Sequence, residues 1–263
     1  MILDAIVEKR KMQLAREQQA APFKEIKARA LRDSRCCISL FDALKQSGLS
    51  VIAEVKKASP SKGVIQPDFH PVETARAYVA AGASAVSVLT EESYFQGSSA
   101  YLQEIRQAVD LPLLRKDFLI DPYQIYEAKL LGADAVLLIA ALLNTETLRE
   151  FRDIAHGLGM ECLAEVHNRE ELDRVLQADF RIVGINNRDL QTFQVSLDTT
   201  AELAKSIPKA CAVVSESGIG SREDMRAVRR YGADAVLIGE TLMRSANPGQ
   251  VLRDLLEDNG HEN

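Results

Sequence analysis

One nine-residue pattern occurs three times along the chain and limits the folds that the chain can adopt. It spans residues 81–89, 131–139 and 231–239, and each copy has glycine at its second position and an apolar run near its end. Glycine suits this place because the residue after a helix often takes the left-handed conformation. Each copy therefore predicts the end of a helix, a short loop and a buried β-strand. Repetition of one such unit indicates a modular architecture.

Five further apolar runs complete a set of eight predicted strands. These runs are 51–55, 111–114, 160–164, 182–185 and 211–214. Helical patterns follow the strands at 71–81, 98–109, 122–131, 145–158, 169–177, 197–206, 222–231 and 248–256. Strands that alternate with helices predict the α/β class, with parallel strands and crossover helices. A count of eight favours a closed (β/α)8 TIM barrel, and an open doubly wound sheet remains the alternative because periodicity does not reveal closure.

The first 47 residues lack the repeated unit. Apolar residues at helical spacing occur between Ile2 and Leu14 and again between Phe23 and Leu31, and a short helix is predicted at 39–44. We therefore predict a helical N-terminal extension (1–47), a catalytic barrel domain (48–257) and a C-terminal tail (258–263). Two roles for the extension stay open. It closes the bottom of the barrel, which we favour slightly, or it forms a lid or wall beside a substrate.

Charge and composition exclude several classes of function. The chain of 263 residues has 32 Lys and Arg against 38 Asp and Glu, a formal net charge of −6, whereas nucleic-acid-binding domains usually carry a basic surface. No apolar run reaches the roughly 18 residues of a membrane span, and the N-terminus lacks the apolar core of a signal peptide. The four cysteines include no CxxC pair, which indicates free thiols in a reducing compartment: Cys36, Cys37, Cys162 and Cys211. We expect a cytoplasmic protein with no nucleic-acid or membrane partner.

Charged residues follow most of the predicted strands, at the end of a barrel where active sites lie. Because side chains alternate across a strand, Glu54 and Lys56 share one face, and Asn186 and Arg188 share another. If these faces point inward, three acids meet three bases at the mouth: Glu54, Glu165, Glu216, Lys56, Lys116 and Arg188. A paired set of charges is less costly to bury than a lone charge. Charged residues occur at five strand ends, at positions that would all face the same way. This pattern favours a functional site over ordinary solvated strand ends.

Other charged residues near the strands are interpreted as structural. Arg115 and Asp117 have the opposite parity to Lys116 and are expected to pair with each other. Asp134 and Asp234 precede strands and are expected to act as caps or salt-bridge partners. The histidines show no ligand spacing, so we expect no metal site: His70, His156, His167 and His261. His167 is interpreted as a loop residue and not as a catalytic base.

Glycines after the last two strands form a phosphate-binding pattern. The sequence SGIG (217–220) follows strand seven, and GET (239–241) follows strand eight and opens a short helical stretch. Glycines let the backbone approach an anion, and helix N-termini direct N–H groups at it. The loops after strands seven and eight are the usual phosphate site of such barrels. We predict phosphate binding by Gly218, Gly239 and the backbone N–H of Glu240, whose carboxylate would repel phosphate.

The sequence resembles the indole-3-glycerol phosphate synthase family of tryptophan biosynthesis. The matching segments are IAEVKKASPSKG (52–63), SVLTEESYFQGS (87–98), LLRKDFLIDPYQIYEA (113–128), AEVHN (164–168), GINNRDL (184–190), VSESGI (214–219) and LIGETLM (237–243). They span nearly the whole predicted barrel in the family's order, with no departure at a functional position. The resemblance implies a lyase without a cofactor. Its reaction converts 1-(o-carboxyphenylamino)-1-deoxyribulose 5-phosphate to indole-3-glycerol phosphate, CO2 and water.

The resemblance also implies catalytic roles for individual residues. Lys116 matches the general acid of ring closure, and Glu165 matches the general base or acid–base partner of dehydration. Lys56 matches a lysine assigned both to substrate anchoring and to proton transfer, so the division of steps between the two lysines stays open. Glu54 and Asn186 would position the lysines and the substrate hydroxyls.

The resemblance implies a second set of residues that hold the substrate. Arg188 would bind the anthranilate carboxylate, because a guanidinium fork fits a carboxylate in a bidentate way. Glu216 and Ser217 would orient the sugar-derived chain. Ser59 would join the glycine loops at the phosphate.

Two other functions share part of this pattern. A ribulose-phosphate-binding isomerase, such as phosphoribosylanthranilate isomerase, would share the phosphate loops but use a different acid–base pair. A phosphate-ligand sensor would need only the loops after strands seven and eight. The charged set at strands one, three, five and six argues against both. We expect a phosphorylated small-molecule substrate and a monomer with no fused isomerase domain, and association with other tryptophan-pathway enzymes stays open.

Overall fold

The strands close into a parallel barrel. The computed structural model describes residues 2–257, so the predicted tail at 258–263 and His261 lie outside the described residues. The barrel strands are β1 Ser50–Val55, β2 Ala85–Leu89, β3 Leu113–Lys116, β4 Ala135–Ile139, β5 Glu161–Val166, β6 Ile182–Asn186, β7 Ala212–Glu216 and β8 Ala235–Ile238. Because β1 pairs with both β2 and β8, the sheet is closed. The TIM-barrel prediction is confirmed, and the open sheet is excluded.

Helices alternate with these strands as predicted. Helices α1 Ile2–Ala20, α2 Phe23–Arg32 and α3 Leu40–Leu44 precede the barrel. The others are α4 Pro71–Ala80, α5 Ser99–Arg106, α6 Pro122–Leu131, α7 Thr145–Gly157, α8 Arg169–Gln177, α9 Asp198–Leu203, α10 Arg222–Arg230, α11 Glu240–Met243 and α12 Pro248–Leu256. The helix predicted at 197–206 is α9 followed by a 3-10 turn, Ala204–Ser206. Within residues 2–257, no helix combines the length and apolarity that a membrane crossing requires.

The repeated glycines end helices in the predicted way. Gly82, Gly132 and Gly232 follow α4, α6 and α10, with φ angles of 95°, 91° and 100°. This left-handed conformation is readily adopted by glycine because it has no Cβ. Each turn then leads into a strand whose residues are almost all buried, which fixes the unit of helix, loop and strand.

Several strands extend further toward their C-terminal ends than the apolar runs predict. The run at 111–114 becomes Leu113–Lys116, and the run at 211–214 becomes Ala212–Glu216. The apolar pattern stops at the first charged residue, but backbone pairing continues through it. Lys116 pairs in register with Leu89, and Glu216 pairs with Asn186. Lys116 and Glu216 therefore lie on strands, which hold them more rigidly than loops would.

The N-terminal helices contact both ends of the barrel. In α3, Leu40 and Leu44 pack into the apolar cluster inside the barrel together with Ile52 and Leu114. At the opposite end, α1 contributes Ile2, Leu3 and Ile6 to the lining of a cavity at the mouth. Helix α3 thus covers one end of the barrel interior, and α1 lines the cavity at the other end.

Candidate active site

A cavity of about 640 Å³ lies at the C-terminal ends of the barrel strands. This volume is in the range of small-molecule sites, about 300–1,000 Å³. Every residue predicted to act on substrate lines it: Glu54, Lys56, Ser59, Lys116, Glu165, Asn186, Arg188, Glu216, Ser217, Gly218, Gly239 and Glu240. Aromatic side chains from three loops form part of the wall: Phe95, Phe118 and Phe193. The cavity therefore joins a charged floor to an apolar wall.

Lys116 is held between two carboxylates. Its Nζ lies 2.9 Å from Oε2 of Glu165 and 2.6 Å from Oε2 of Glu216. Burial opposes the charged ammonium, but the carboxylates outweigh burial and raise the pKa of Lys116 above its usual range. Lys116 is therefore a fixed, protonated donor at neutral pH.

The two carboxylates differ in their electrostatic surroundings. Burial alone would raise the pKa of Glu165, but Lys116 and His167 outweigh it and hold this pKa well below the usual range. Burial raises the pKa of Glu216 to about 7, and the nearby Glu165 adds to the effect against the attraction of Lys116. At neutral pH Glu165 is thus a carboxylate, and Glu216 is close to its midpoint.

Lys56 pairs with Glu54 on the neighbouring side of the mouth. Their side chains approach to 2.5 Å, and both lie under the backbone of Gly239. A Cβ at position 239 would collide with the Glu54 carboxylate and lie 2.9 Å from Lys56 Nζ. Gly239 therefore lets the loop after β8 approach this ion pair closely, which agrees with its predicted place in the site.

Arg188 contacts a carboxylate that lies outside the predicted set of three acids. Its guanidinium lies 3.6 Å from the Glu240 carboxylate, which also contacts Arg244 at 2.9 Å and Lys62 at 3.8 Å. The expected set of three acids and three bases is thus incomplete, because Glu240 adds a fourth carboxylate. The role of Lys62 and Arg244 beside Glu240 was missed, although the spacing of 240 and 244 on a helix was a usable signal.

The loop after β7 has the backbone conformation that suits an anion site. Ser217 and Gly218 both have positive φ, 68° and 84°. Consecutive N–H groups in such turns form concave anion-binding surfaces. Asn187 is buried below the loop and donates from Nδ2 to the Ser217 carbonyl at 3.0 Å, which stabilises this unusual conformation. Ser59 lines the same cavity, and its buried Oγ has no hydrogen-bond partner within the described residues.

Asn186 links the carboxylate of Glu165 to the Arg188 backbone. Its Nδ2 donates to Oε1 of Glu165 at 3.2 Å, and its Oδ1 accepts from the backbone N–H of Arg188 at 3.0 Å. These contacts make Asn186 a positioning residue for Glu165 in this arrangement.

His167 was interpreted as a loop residue, and that interpretation missed its contacts. Its Nε2 lies 3.3 Å from Oε1 of Glu165, and its Nδ1 lies 3.0 Å from Oε2 of Glu171. Burial lowers the pKa of His167, but the two carboxylates outweigh it and raise that pKa to about 10. Two spacings could have indicated this: position 167 has the same parity as 165, just beyond the end of β5, and position 171 lies in the first turn of α8.

The residues interpreted as structural are paired as predicted. Arg115 lies 3.2 Å from Asp117, which also lies 3.3 Å from Arg10 of α1. Asp134 lies 2.8 Å from Arg106, and Asp234 lies 2.9 Å from Lys45. Among residues 2–257, no group of three or more His, Cys, Asp or Glu side chains is arranged to hold a metal ion.

Comparison with known proteins agrees with this geometry. A solved thiamine phosphate pyrophosphorylase from Pyrococcus furiosus matches with a TM-score of 0.61 over 83% of this chain and 96% of that one, at 18% identity. At this identity the match shows the shared fold alone. Relatives named indole-3-glycerol phosphate synthase are much closer in sequence. The one from Acetivibrio thermocellus is 48% identical over 256 residues, which cover 97% of this chain and 98% of the relative.

A second relative and a family model cover the same span. The relative of that name from Alkaliphilus metalliredigens is 50% identical over 256 residues, again 97% of this chain and 98% of its own length. The family model described as indole-3-glycerol phosphate synthase matches residues 3–255, which include all eight barrel strands and nearly all of α1. The chain therefore belongs to the indole-3-glycerol phosphate synthase family, carboxy-lyases of tryptophan biosynthesis that close the indole ring of a phosphorylated substrate with loss of CO2 and water.

Proposed function

We propose that Lys116 is the general acid of ring closure in this chain. In that step the aromatic carbon beside the carboxylate attacks the C2′ carbonyl of the substrate, and the carbonyl oxygen must gain a proton as its charge develops. A buried ammonium that stays protonated at neutral pH suits this task. The observation that carries the proposal is the position of Lys116 Nζ between Glu165 and Glu216, facing the cavity.

Glu165 is the general base of the later dehydration in this proposal. Once CO2 has left, a ring proton must be removed while hydroxide departs as water. Glu165 is ionised at neutral pH, so its carboxylate can accept that proton, and its contact with Lys116 Nζ gives a direct route for returning the proton to the acid. Asn186 holds the other carboxylate oxygen in place.

Lys56 is the candidate for protonating the departing hydroxide. Its ion pair with Glu54 fixes the ammonium on the same side of the mouth as the loop after β8. The same place suits anchoring of the substrate. The two lysines are therefore assigned to separate steps, with Lys116 first and Lys56 second.

The substrate is held at two anionic groups in this proposal. The phosphate binds the loops at Gly218 and Gly239 and the backbone N–H of Glu240, with Ser59 supplying its unpartnered hydroxyl. Arg188 takes the anthranilate carboxylate in exchange for the Glu240 carboxylate that it now faces. Glu216 and Ser217 orient the chain between them.

Replacement of Lys116 by methionine tests this assignment. The variant keeps the apolar stem and the phosphate loops, so KM should stay close to that of the parent while kcat falls by at least about 100-fold, as for loss of a general acid. Lys116→Arg should not restore activity, because a guanidinium is a weaker acid of different shape. Product formation can be followed by indole fluorescence, because the chain contains no Trp.

A matched control is Lys57→Met, which removes a neighbouring lysine that lies outside the cavity lining. It should retain full activity. A folded Lys116→Met variant with near-parental kcat would show that Lys116 is not the acid, and the roles of Lys116 and Lys56 would have to be exchanged.

We also propose that the protein acts as a monomer in the cytoplasm. The four cysteines, all of which are free thiols, support a reducing compartment. Association with other enzymes of tryptophan biosynthesis is the alternative to an isolated monomer. Size-exclusion chromatography of the protein alone and mixed with those enzymes distinguishes the two.

A further inference from the structure

A line of alternating charges runs from α8 into the active site. Glu171 on α8 contacts His167, which contacts Glu165, which contacts Lys116, which contacts Glu216. The roles proposed above use the last three of these groups and leave the first two unexplained. His167 and Glu171 are both largely buried, with side chains 9% and 10% exposed. Burial of two further ionisable groups beside the base calls for a physical reason.

We propose that His167 is a positioning residue for the reaction: held by Glu171 as an imidazolium, it fixes Glu165 as a carboxylate with Oε2 directed to Lys116. This inference rests on the proposed role of Glu165 as the base. Glu165 has two oxygens with different partners. Oε1 faces His167 and Asn186, while Oε2 is left to Lys116 and the cavity.

Glu171 holds the imidazole by contacts with both ring and backbone. Its Oε2 lies 3.0 Å from Nδ1 and accepts from the backbone N–H of His167 at 2.8 Å. Its Oε1 accepts from Asn168 Nδ2 at 2.9 Å, so the carboxylate cannot rotate without losing a hydrogen bond. Nε2 is thereby aimed at Glu165, and it has no hydrogen-bond partner of good geometry within the described residues. Its contact with Glu165 is therefore an electrostatic one.

The charges around His167 are mostly negative. Glu165 contacts His167 from the end of β5, and Glu171 contacts it from α8. Asp189, in the loop after β6, also interacts with His167. The cation on the opposite side is Lys116, with Glu165 between them. Two adjacent carboxylates in a buried place favour the charged imidazole, in agreement with a pKa of about 10 for His167. The imidazolium in turn favours the ionised form of Glu165.

The protonation state of His167 can be observed directly. Proton NMR of the whole protein resolves histidine ring signals, and the signal lost in His167→Gln identifies His167. We expect this ring to stay protonated through neutral pH, whereas His156 on α7, whose pKa is lowered by partial desolvation and by the nearby Arg152, titrates below the ordinary value of 6.5. Glu171→Gln should move the titration of His167 to lower pH. Titration of His167 in the parent near the ordinary value would overturn the proposal.

The effect on the reaction is tested by the pH profile of kcat in His167→Gln. Glutamine is a polar side chain of similar length but carries no charge. Loss of the cation raises the pKa of Glu165, so the acid limb of kcat moves to higher pH while KM stays close to that of the parent. A structural role alone would lower thermal stability without moving this limb. His156→Gln, an exposed change on α7, is the control and should leave the profile unaltered.

A parallel Glu165→Gln variant separates this inference from the role on which it depends. If Glu165→Gln loses activity and His167→Gln keeps an unshifted acid limb, His167 does not position the base and the inference is refuted. If Glu165→Gln retains kcat, Glu165 is not the base, and the proposed role itself fails. An inactive Glu165→Gln together with a shifted limb in His167→Gln supports both.

Discussion

Replacement of Glu216 by glutamine is expected to stabilise the protein above neutral pH, although Glu216 forms an ion pair with Lys116. Glu216 is 2% exposed, and its Oε1 has no hydrogen-bond partner within residues 2–257. It shares the single ammonium of Lys116 with the Glu165 carboxylate. Burial and this second carboxylate disfavour ionised Glu216 more than Lys116 favours it, which raises its pKa to about 7.

The size of the effect follows from that pKa. The pKa of Glu216 rises from its ordinary value of 4.5 to about 7 in the folded chain, and one pKa unit corresponds to about 1.4 kcal/mol. Between these pH values the folded chain retains a proton that the unfolded chain releases. The contribution of protonated Glu216 to the free energy of unfolding is therefore fully present below about pH 4.5. It is lost as the pH rises to about 7, a loss of about 3 kcal/mol. Glutamine cannot ionise, so the variant should avoid this loss.

Urea denaturation of the parent and of Glu216→Gln measures the difference. At about pH 4 the two free energies of unfolding should nearly agree, and at about pH 8 the variant should be more stable by about 3 kcal/mol. Glu202→Gln is the control, because Glu202 is exposed and its substitution should give no difference at either pH. If Glu216→Gln is no more stable than the parent at about pH 8, the ion pair outweighs burial and the reasoning is wrong.

Three further substitutions test other parts of the site. Gly218→Val places a side chain at a φ of +84° and within 2.6 Å of Val195, so KM and the inhibition constant of inorganic phosphate should both rise; an unchanged KM in the folded variant would remove Gly218 from the phosphate site. Glu240→Gln keeps the backbone N–H but removes a carboxylate near the expected phosphate, so inorganic phosphate should inhibit more strongly, and weaker inhibition would contradict this. Arg10→Met leaves Asp117 with fewer cations and loosens α1, so the free energy of unfolding should fall by about 3 kcal/mol and KM should rise. Lys9→Met, an exposed change on α1, is the control, and equal stability of the two would refute that role for Arg10.

Strand parity explains why much of the site could be predicted from the sequence. Glu54 and Lys56 are two residues apart at the end of β1, and alternation alone places them on one face. The same local rule separates Lys116, which faces the cavity, from Arg115 and Asp117, which pair behind the strand. Glycine at the ends of helices likewise depends on local backbone geometry, so the order of the elements was predictable.

Contacts between distant elements could not be predicted in the same way. The pairing of Arg10 with Asp117 depends on where α1 lies against the barrel, and no spacing in the sequence specifies that. The meeting of Glu240 with Arg188 depends on the register of β6 and β8 across the mouth. Closure of the barrel itself depends on β1 reaching β8, a contact between the first and last strands of the sheet.

The ion pairs at the mouth have a consequence for how the barrel is put together. Strands β1 to β4 carry Lys116, while both of its carboxylate partners, Glu165 and Glu216, lie in β5 to β8. The printed ion-pair partners of Lys116 and Glu216 thus lie in the other half of the barrel, whereas Glu165 also contacts His167 in its own half. Separate fragments cut between β4 and β5 would therefore attract each other at their chemically reactive ends, and an incorrect docking would leave Lys116 and Glu216 buried without their ion-pair partners. The charges that the reaction needs thus also discriminate between correct and incorrect assembly of the two half-barrels.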